Sequence, residues 1–269
     1  MKETEDEFFV GYVDHVSPKT RLALKRFVVL GVLFLIALAA VFALTQNENK
    51  NSSFELTNAT LITGVYHESP YPMLQVKIAP GSYKNIVLLG FGKKGANPYL
   101  DQLRNEEAIL TGKHISIEGN LIYYNGKTLL QITDEDKVTW ADTNSKDSSP
   151  LPEAMIQEKE FKGEIIDPKC YFGVMKPGYG KIHRSCAVLC ISGGIPPVLV
   201  TTDANNNSKY YLLTDKKGNQ LHKQILAYVG KPSLVKGDVY KLGDWLQLRI
   251  NIDDIKMLDE PSTIYALTP

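Results

Sequence analysis

The chain has 269 residues, with 30 basic and 30 acidic side chains and a formal net charge of zero. That balance creates no global field to hold nucleic acid. The length leaves room for one or two domains beside a membrane segment, and a single apolar run near the N-terminus inflates the 43% hydrophobic fraction.

Residues 1–26 read as a cytoplasmic tail. The first fourteen are acidic and carry Phe8-Phe9-Val10-Gly11-Tyr12, which suits a disordered stretch or an interfacial or partner-binding tag. Residues 15–26 hold Lys19, Arg21, Lys25 and Arg26 and no acid. Residues 27–44 then contain no polar side chain. At 1.5 Å per residue this run covers about 27 Å, close to the hydrocarbon core of a bilayer. It is longer than a cleaved signal's apolar region, and apolar on every face, unlike a soluble core helix. Residues 27–45 therefore read as an uncleaved signal anchor. Four basic residues precede the span and only Lys50 closely follows it. The positive-inside rule then puts the N-terminus in the cytoplasm. The expected location is the cell inner membrane, single-pass, with the bulk of the chain periplasmic or extracellular, a compartment that permits disulfides.

Residues 46–54 are a polar tether. Residues 55–140 read as a first β module, with strands over 61–66, 73–78, 85–89, 114–118, 120–124 and 128–133. Asn125-Gly126 is a hairpin signal, since both residues accept positive φ. Residues 99–108 are the one short helix expected there. Residues 141–159 are a linker; 141–152 are polar and end in two prolines, and 153–160 form a turn of helix or lead into the second module. Residues 160–259 form a second β module, and 260–269 a C-terminal tail.

The two modules resemble each other in sequence. Gly112-Lys113 matches Gly230-Lys231, Glu118-Gly119-Asn120 matches Lys236-Gly237-Asp238, and Leu130-Gln131-Ile132 matches Leu246-Gln247-Leu248 after a two-residue gap. Upstream, the run from Val87 through Lys93-Lys94-Gly95 matches that from Tyr211 through Lys216-Lys217-Gly218. The fold class expected is mainly β: a transmembrane helix, then two related small β-barrel modules, OB-like, the second with a Cys/His-bearing helical insert over 167–200. The runners-up are an SH3-like barrel and one continuous sandwich.

That insert holds all three cysteines and His183, spaced C-x12-H-x2-C-x3-C from Cys170 through His183 and Cys186 to Cys190. Pro177-Gly178-Tyr179-Gly180 reads as a turn, and 181–191 as a helix stopped by Gly193-Gly194 and Pro196-Pro197. On that helix His183, Cys186 and Cys190 fall on one stripe. Cβ atoms at i and i+4 lie roughly 5–6 Å apart, whereas a disulfide needs about 3.5–4.5 Å. A bridge would therefore have Cys170 at one end, with Cys186 or Cys190 at the other.

Three readings stand. One is a structural disulfide with a buried leftover thiol. Another is a metal site for zinc or copper with Cys170, His183, Cys186 and Cys190 as ligands, to which Met175 would add a thioether for copper. The third is a thiol redox site in which His183 lowers a cysteine pKa, with Cys170 as the resolving thiol. Asp167-Pro168 reads first as a turn before the cysteine loop; the other reading makes Asp167 an acceptor that orients His183, and Lys169 stands where it would stabilise a thiolate. His67, His114 and His222 are isolated.

Cys170-Tyr171, the Gly-rich loop, His183-x2-Cys186-Ala187-x2-Cys190-Ile191 and Gly193-Gly194-Ile195-Pro196 resemble a segment of exported, membrane-anchored bacterial proteins, a family of no settled activity. The resemblance covers the C-terminal module and implies an exported β domain with a Cys/His site. No phosphate-binding loop, GxSxG, HExxH or dinucleotide fingerprint occurs. The expected function is that of a membrane-anchored exoplasmic accessory protein, more binding protein than enzyme, engaged in metal handling or support of a membrane redox complex. Its expected partners are the membrane and other membrane or envelope proteins. The alternatives are an envelope protein with a disulfide-stapled interaction loop and a thiol–disulfide redox protein.

Overall fold

The computed structural model describes residues 16–45, 52–141, 151, 153–205 and 207–259. It divides into two units, one N-terminal and one beginning near residue 50. In the first, helix α1 (Pro18–Thr45) is long and apolar enough to cross a membrane, and none of its residues is buried. The helix starts well before the apolar run. Pro18 stands in its first turn, and Ser17 Oγ accepts from the Thr20 amide at 3.3 Å, as a capping residue does. Residues 18–26, expected in the tail, are thus helical and carry the basic cluster.

In the second unit, β1 (Ser52–Phe54) lies where the end of the tether was expected; it pairs with a later strand, β5, and so is ordered by the sheet. Then come β2 (Thr60–His67), β3 (Met73–Ala79), β4 (Ser82–Leu89), helix α2 (Asn97–Glu106), β5 (His114–Tyr124) and β6 (Lys127–Ile132). These strands close into a five-stranded barrel in the circuit β2–β3–β4–β6–β5–β2. Only β4–β6 is parallel. Strand β7 (Val138–Trp140) adds to β5.

The chain then repeats the plan. Strands β8 (Glu153–Ile166), β9 (Val198–Thr202), β10 (Ser208–Asp215), β11 (Pro232–Leu242) and β12 (Trp245–Ile250) close as β8–β9–β10–β12–β11–β8, again with one parallel pair, β10–β12. A 3-10 helix over Lys223–Tyr228 takes the place of α2, and β13 (Lys256–Met257) that of β7. The link between β8 and β9 runs over 167–197, whereas that between β2 and β3 is only 68–72. It contains helix α3 (Gly180–Ser192).

Three expectations are corrected. The linker was expected to reach residue 159, with residues 153–160 either a turn of helix or the lead into the second module, and the second alternative holds. Strand β8 begins at Glu153 and pairs along its length with β11. Residues 154–160 are exposed, Met155 and Ile156 among them, so this part of β8 is one side of a solvated two-stranded ribbon. The strands expected over 114–118 and 120–124 are one strand, β5. The strand runs on through Gly119, where β6 comes so close that a Cβ would run into the Gln131 carbonyl. Finally, the repeat needs no gap. Gly119 pairs with Ile132 and Gly237 with Ile250, so the two hairpins superpose residue for residue. The Asn125-Gly126 turn, with φ of 46° and 77°, then corresponds to Gly243-Asp244, with φ of 60° at Gly243. Residues 1–15, most of the tether, 142–150 and 260–269 lie outside the described residues.

Each barrel has its own apolar interior: Leu74, Leu88, Ile115, Ile117 and Leu130 in the first, Ile165, Leu199, Leu213, Val235 and Leu248 in the second. A third core joins them. It combines Tyr71, Met73, Val87, Leu89 and Leu129 with Ile166, Phe172, Val198, Val200, Leu212 and Trp245. Polar bonds cross the same seam. The Tyr71 hydroxyl donates to Leu213 O at 2.6 Å and accepts from Leu221 N at 3.0 Å. Trp245 Nε1 donates to Asn85 O at 2.9 Å, and Asp244 accepts from the Asn85 backbone and side chain.

The barrels therefore unfold together. Trp245→Ala, which empties the seam and orphans the Asn85 carbonyl, should cost about 3–5 kcal/mol. Urea unfolding should show one transition shifted to lower denaturant, with hydrogen exchange accelerated in both β4 and β12. Loss of protection in β12 alone would show that the barrels are energetically separate.

Candidate metal and thiol centre

The centre is built from the end of β8 onward. Asp167 is completely buried. Its Oδ1 accepts from Cys170 N at 2.9 Å and its carbonyl from Tyr171 N at 3.1 Å, which curls the chain into a turn. The turn widens to π-helical geometry over Cys170–Val174, with Met175 N bonded to Cys170 O at 3.0 Å. Gly178 follows, where a side chain would run into Tyr171. Helix α3 then starts with Gly180 N donating to the buried Glu164 carboxylate, an anion suited to a helix N-terminus.

Along α3, His183, Ala187 and Cys190 are buried, Cys186 is half-buried, and Lys181, Ile182, Ser185 and Leu189 are exposed. The helix ends where Gly193 N bonds Leu189 O at 3.0 Å and Gly194 takes a φ of 103°. The expected helix over 181–191 is thus present, with its His/Cys stripe turned toward Cys170.

The ligand-type side chains converge. One sulfur or nitrogen atom each of Cys170, His183 and Cys186 lie within 4.8 Å of one another, and so do the ligand atoms of Asp167, Cys170 and Cys190. Cys170 belongs to both groups. All three cysteines are free thiols. Tetrahedral zinc with sulfur at about 2.3 Å puts its sulfurs about 3.8 Å apart. The ligand atoms of each group are thus spaced in a way compatible with a metal ion. Met175 closes the turn and is 45% exposed. His67, His114 and His222 belong to neither group.

Asp167 does more than form the expected turn. Its Oδ2 lies 3.1 Å from His183 Nε2, and both side chains are buried. The carboxylate thus fixes the ring orientation while holding the Cys170 loop, as a carboxylate behind a ligating histidine does. The interaction with Cys190, then burial and the Asp167 charge, raise the Cys170 pKa well above the usual thiol range, while the same interaction lowers that of Cys190. Burial, then the charge on Cys190, raises Cys186.

The first barrel closes the centre, a contribution the sequence reading did not include. Lys169, expected beside a thiolate, sends its Nζ across the seam to Gly90 O at 2.9 Å and Gly92 O at 2.8 Å. Burial pulls its ammonium down to about 8, against the opposing pull of Cys190, Cys170 and Asp167. Gly95 N donates to Gly193 O at 2.9 Å, and a Cβ on Gly193 would run into the Lys93 carbonyl. Lys93 adds a positive charge that favours the thiolates of Cys186 and Cys190. The Lys93-Lys94-Gly95 segment was visible in the sequence only as a repeat landmark.

Behind the turn, Phe172 stacks on Tyr124 with ring centroids 5.2 Å apart, and Tyr171 and Tyr210 complete an aromatic wall. The Tyr123-Tyr124 and Tyr210-Tyr211 pairs therefore serve, at least in part, as packing: Tyr211 faces Phe161 inside the second barrel. Comparison with protein-family models, curated proteins and solved structures finds no match to this chain.

Asp167→Ala would leave the Cys170 amide and the His183 ring without their acceptor. With each orphaned buried group costing about 1–3 kcal/mol, the variant should lose about 2–5 kcal/mol in urea unfolding. Asp167→Asn keeps the Oδ1 acceptor and should lose distinctly less. Equal losses would show that the bond to the turn contributes little.

Proposed function

We propose that the chain is a membrane-anchored accessory protein whose second barrel binds a thiophilic metal ion, zinc or copper(I). The observation that supports this most is the convergence of Cys170, His183, Cys186 and Cys190, with Asp167, within 4.8 Å in two groups that share Cys170. Three thiols and an imidazole form a donor set suited to either ion. In this reading Cys186 and Cys190 offer sulfurs one helical turn apart, Cys170 offers the third from the facing turn, and His183 offers the ring nitrogen that Asp167 does not engage. Asp167 is a positioning residue: it holds the ring and the turn together. Lys169 and Lys93 offset the negative charge of the thiolates. A bound ion would supply a Lewis-acidic or electron-carrying centre, or would be cargo.

The rest of the reading follows from location. The barrels are OB-like, a proposal their shared strand circuit supports. Helix α1 anchors them with the N-terminus in the cytoplasm, the orientation favoured by Lys19, Arg21, Lys25 and Arg26. The centre then works outside the membrane, in metal handling or in support of a membrane redox complex. Met175 is the candidate for a fifth, thioether donor if the ion is copper.

The test is metal content of the full chain, purified in detergent under reducing conditions without chelator and measured by elemental mass spectrometry. About one zinc or copper per chain is expected, lost in Cys186→Ser and in Cys190→Ser. Asp167→Ala should bind the ion about 10–100-fold more weakly, the effect of removing a partner behind a ligand. No uptake after reconstitution with either ion, or undiminished uptake in both serine variants, would overturn the reading.

A further inference from the structure

The metal reading treats the three thiols as equivalent donors, but their surroundings differ. Cys170 is 5% and Cys190 1% exposed, whereas Cys186 is half-buried and flanked on α3 by the exposed Ile182, Ser185 and Leu189. A reagent in solution therefore meets Cys186 first. Cys190, one turn further along the same helix, is a poor bridging partner for it, since i and i+4 Cβ atoms stand roughly 5–6 Å apart on an intact helix. Cys170 comes from the facing turn, with its sulfur within 4.8 Å of that of Cys186.

We propose that the centre is gated by oxidation, with Cys186 the thiol first attacked and Cys170 the thiol that resolves it. The oxidant is a small or protein disulfide. In the first step the Cys186 sulfur attacks one sulfur of that disulfide and releases the other half as a thiol, which takes the Cys186 proton. In the second the Cys170 sulfur attacks Cys186 Sγ and displaces the remaining half, which takes the Cys170 proton. Two protein thiols are oxidised to one Cys170–Cys186 bridge, and one external disulfide is reduced to two thiols. No further reductant or oxidant is required. Cys190 stays a thiol throughout.

The consequence for a bound ion rests on the metal reading above. Cys170 is the member common to both ligand groups. Its bridge to Cys186 removes two sulfur donors together and leaves Cys190, His183 and Asp167, a set with a single sulfur. Oxidation should release the ion, and reduction of the bridge should restore the site.

The experiment treats the full chain in detergent with oxidised glutathione and maps the linked peptides by mass spectrometry without reduction, following release of zinc with a chromogenic chelator in the same sample. In the wild type the expected order is a glutathione adduct on Cys186, then a Cys170–Cys186 bridge, with zinc released as the bridge forms. Cys170→Ser should stop at the adduct, and Cys190→Ser should still form the bridge. A first adduct on Cys170 or Cys190, a bridge containing Cys190, or no reaction of the folded wild type would overturn the assignment, and none of these needs a variant that folds. Zinc held undiminished in the bridged chain would overturn the gating. A bridge formed in the stated order by a chain that never takes up zinc would support the thiol assignment while overturning the metal reading.

Discussion

A single buried carboxylate holds the centre in shape. Asp167 sits where β8 ends, and one oxygen terminates the strand by capping the Cys170 turn while the other reaches His183 on α3. A charged group inside an apolar core is tolerated only when each oxygen has a partner. The two elements that carry the thiols are therefore tied to one point. The other anchors of the link, Gly180 on Glu164 and Gly193 on Gly95, hold the two ends of α3, whereas Asp167 ties its His183 face directly to the Cys170 turn.

The duplication explains why such a link is tolerated at all. Both barrels close through the same strand pairings, and in the first the corresponding connection is short. The barrel thus closes without the added segment, which spreads over the seam between the two copies. There it contributes Phe172, Cys170 and Cys190 to the joining core and takes Lys169 across to the carbonyls of Gly90 and Gly92. The first barrel, which has no cysteine, acts as a wall of the centre. Its Lys93 brings a positive charge toward the sulfurs, and its Gly95 meets Gly193 backbone to backbone at the end of α3. Burial of the site is a product of the pair.

Much of this was legible in the sequence because periodicity carries it. The apolar run of α1, the alternating strands and the His183–Cys186–Cys190 stripe all follow from side-chain spacing within one element. The Asn125-Gly126 turn follows from backbone chemistry alone. Contacts set by the tertiary fold were not legible. Asp167 next to a proline reads as a turn or as an acceptor for His183, and nothing local shows that one carboxylate does both, with its second oxygen on a ring sixteen positions on. Residues 154–160 face water on a ribbon, so they lack the alternation of a half-buried strand and look like linker. Leu130-Gln131 and Leu246-Gln247 are alike in sequence but not in register, which Gly119 opposite Ile132 and Gly237 opposite Ile250 define.

The most direct test of the account is the coordination shell itself, read by X-ray absorption at the zinc edge on the full chain reconstituted with zinc under reducing conditions. The account predicts mixed sulfur and nitrogen scattering, with sulfur at about 2.3 Å and a shorter nitrogen shell near about 2.0–2.1 Å. A shell made only of nitrogen and oxygen would contradict it, because it would mean that the three thiols gathered around Asp167 do not serve the ion.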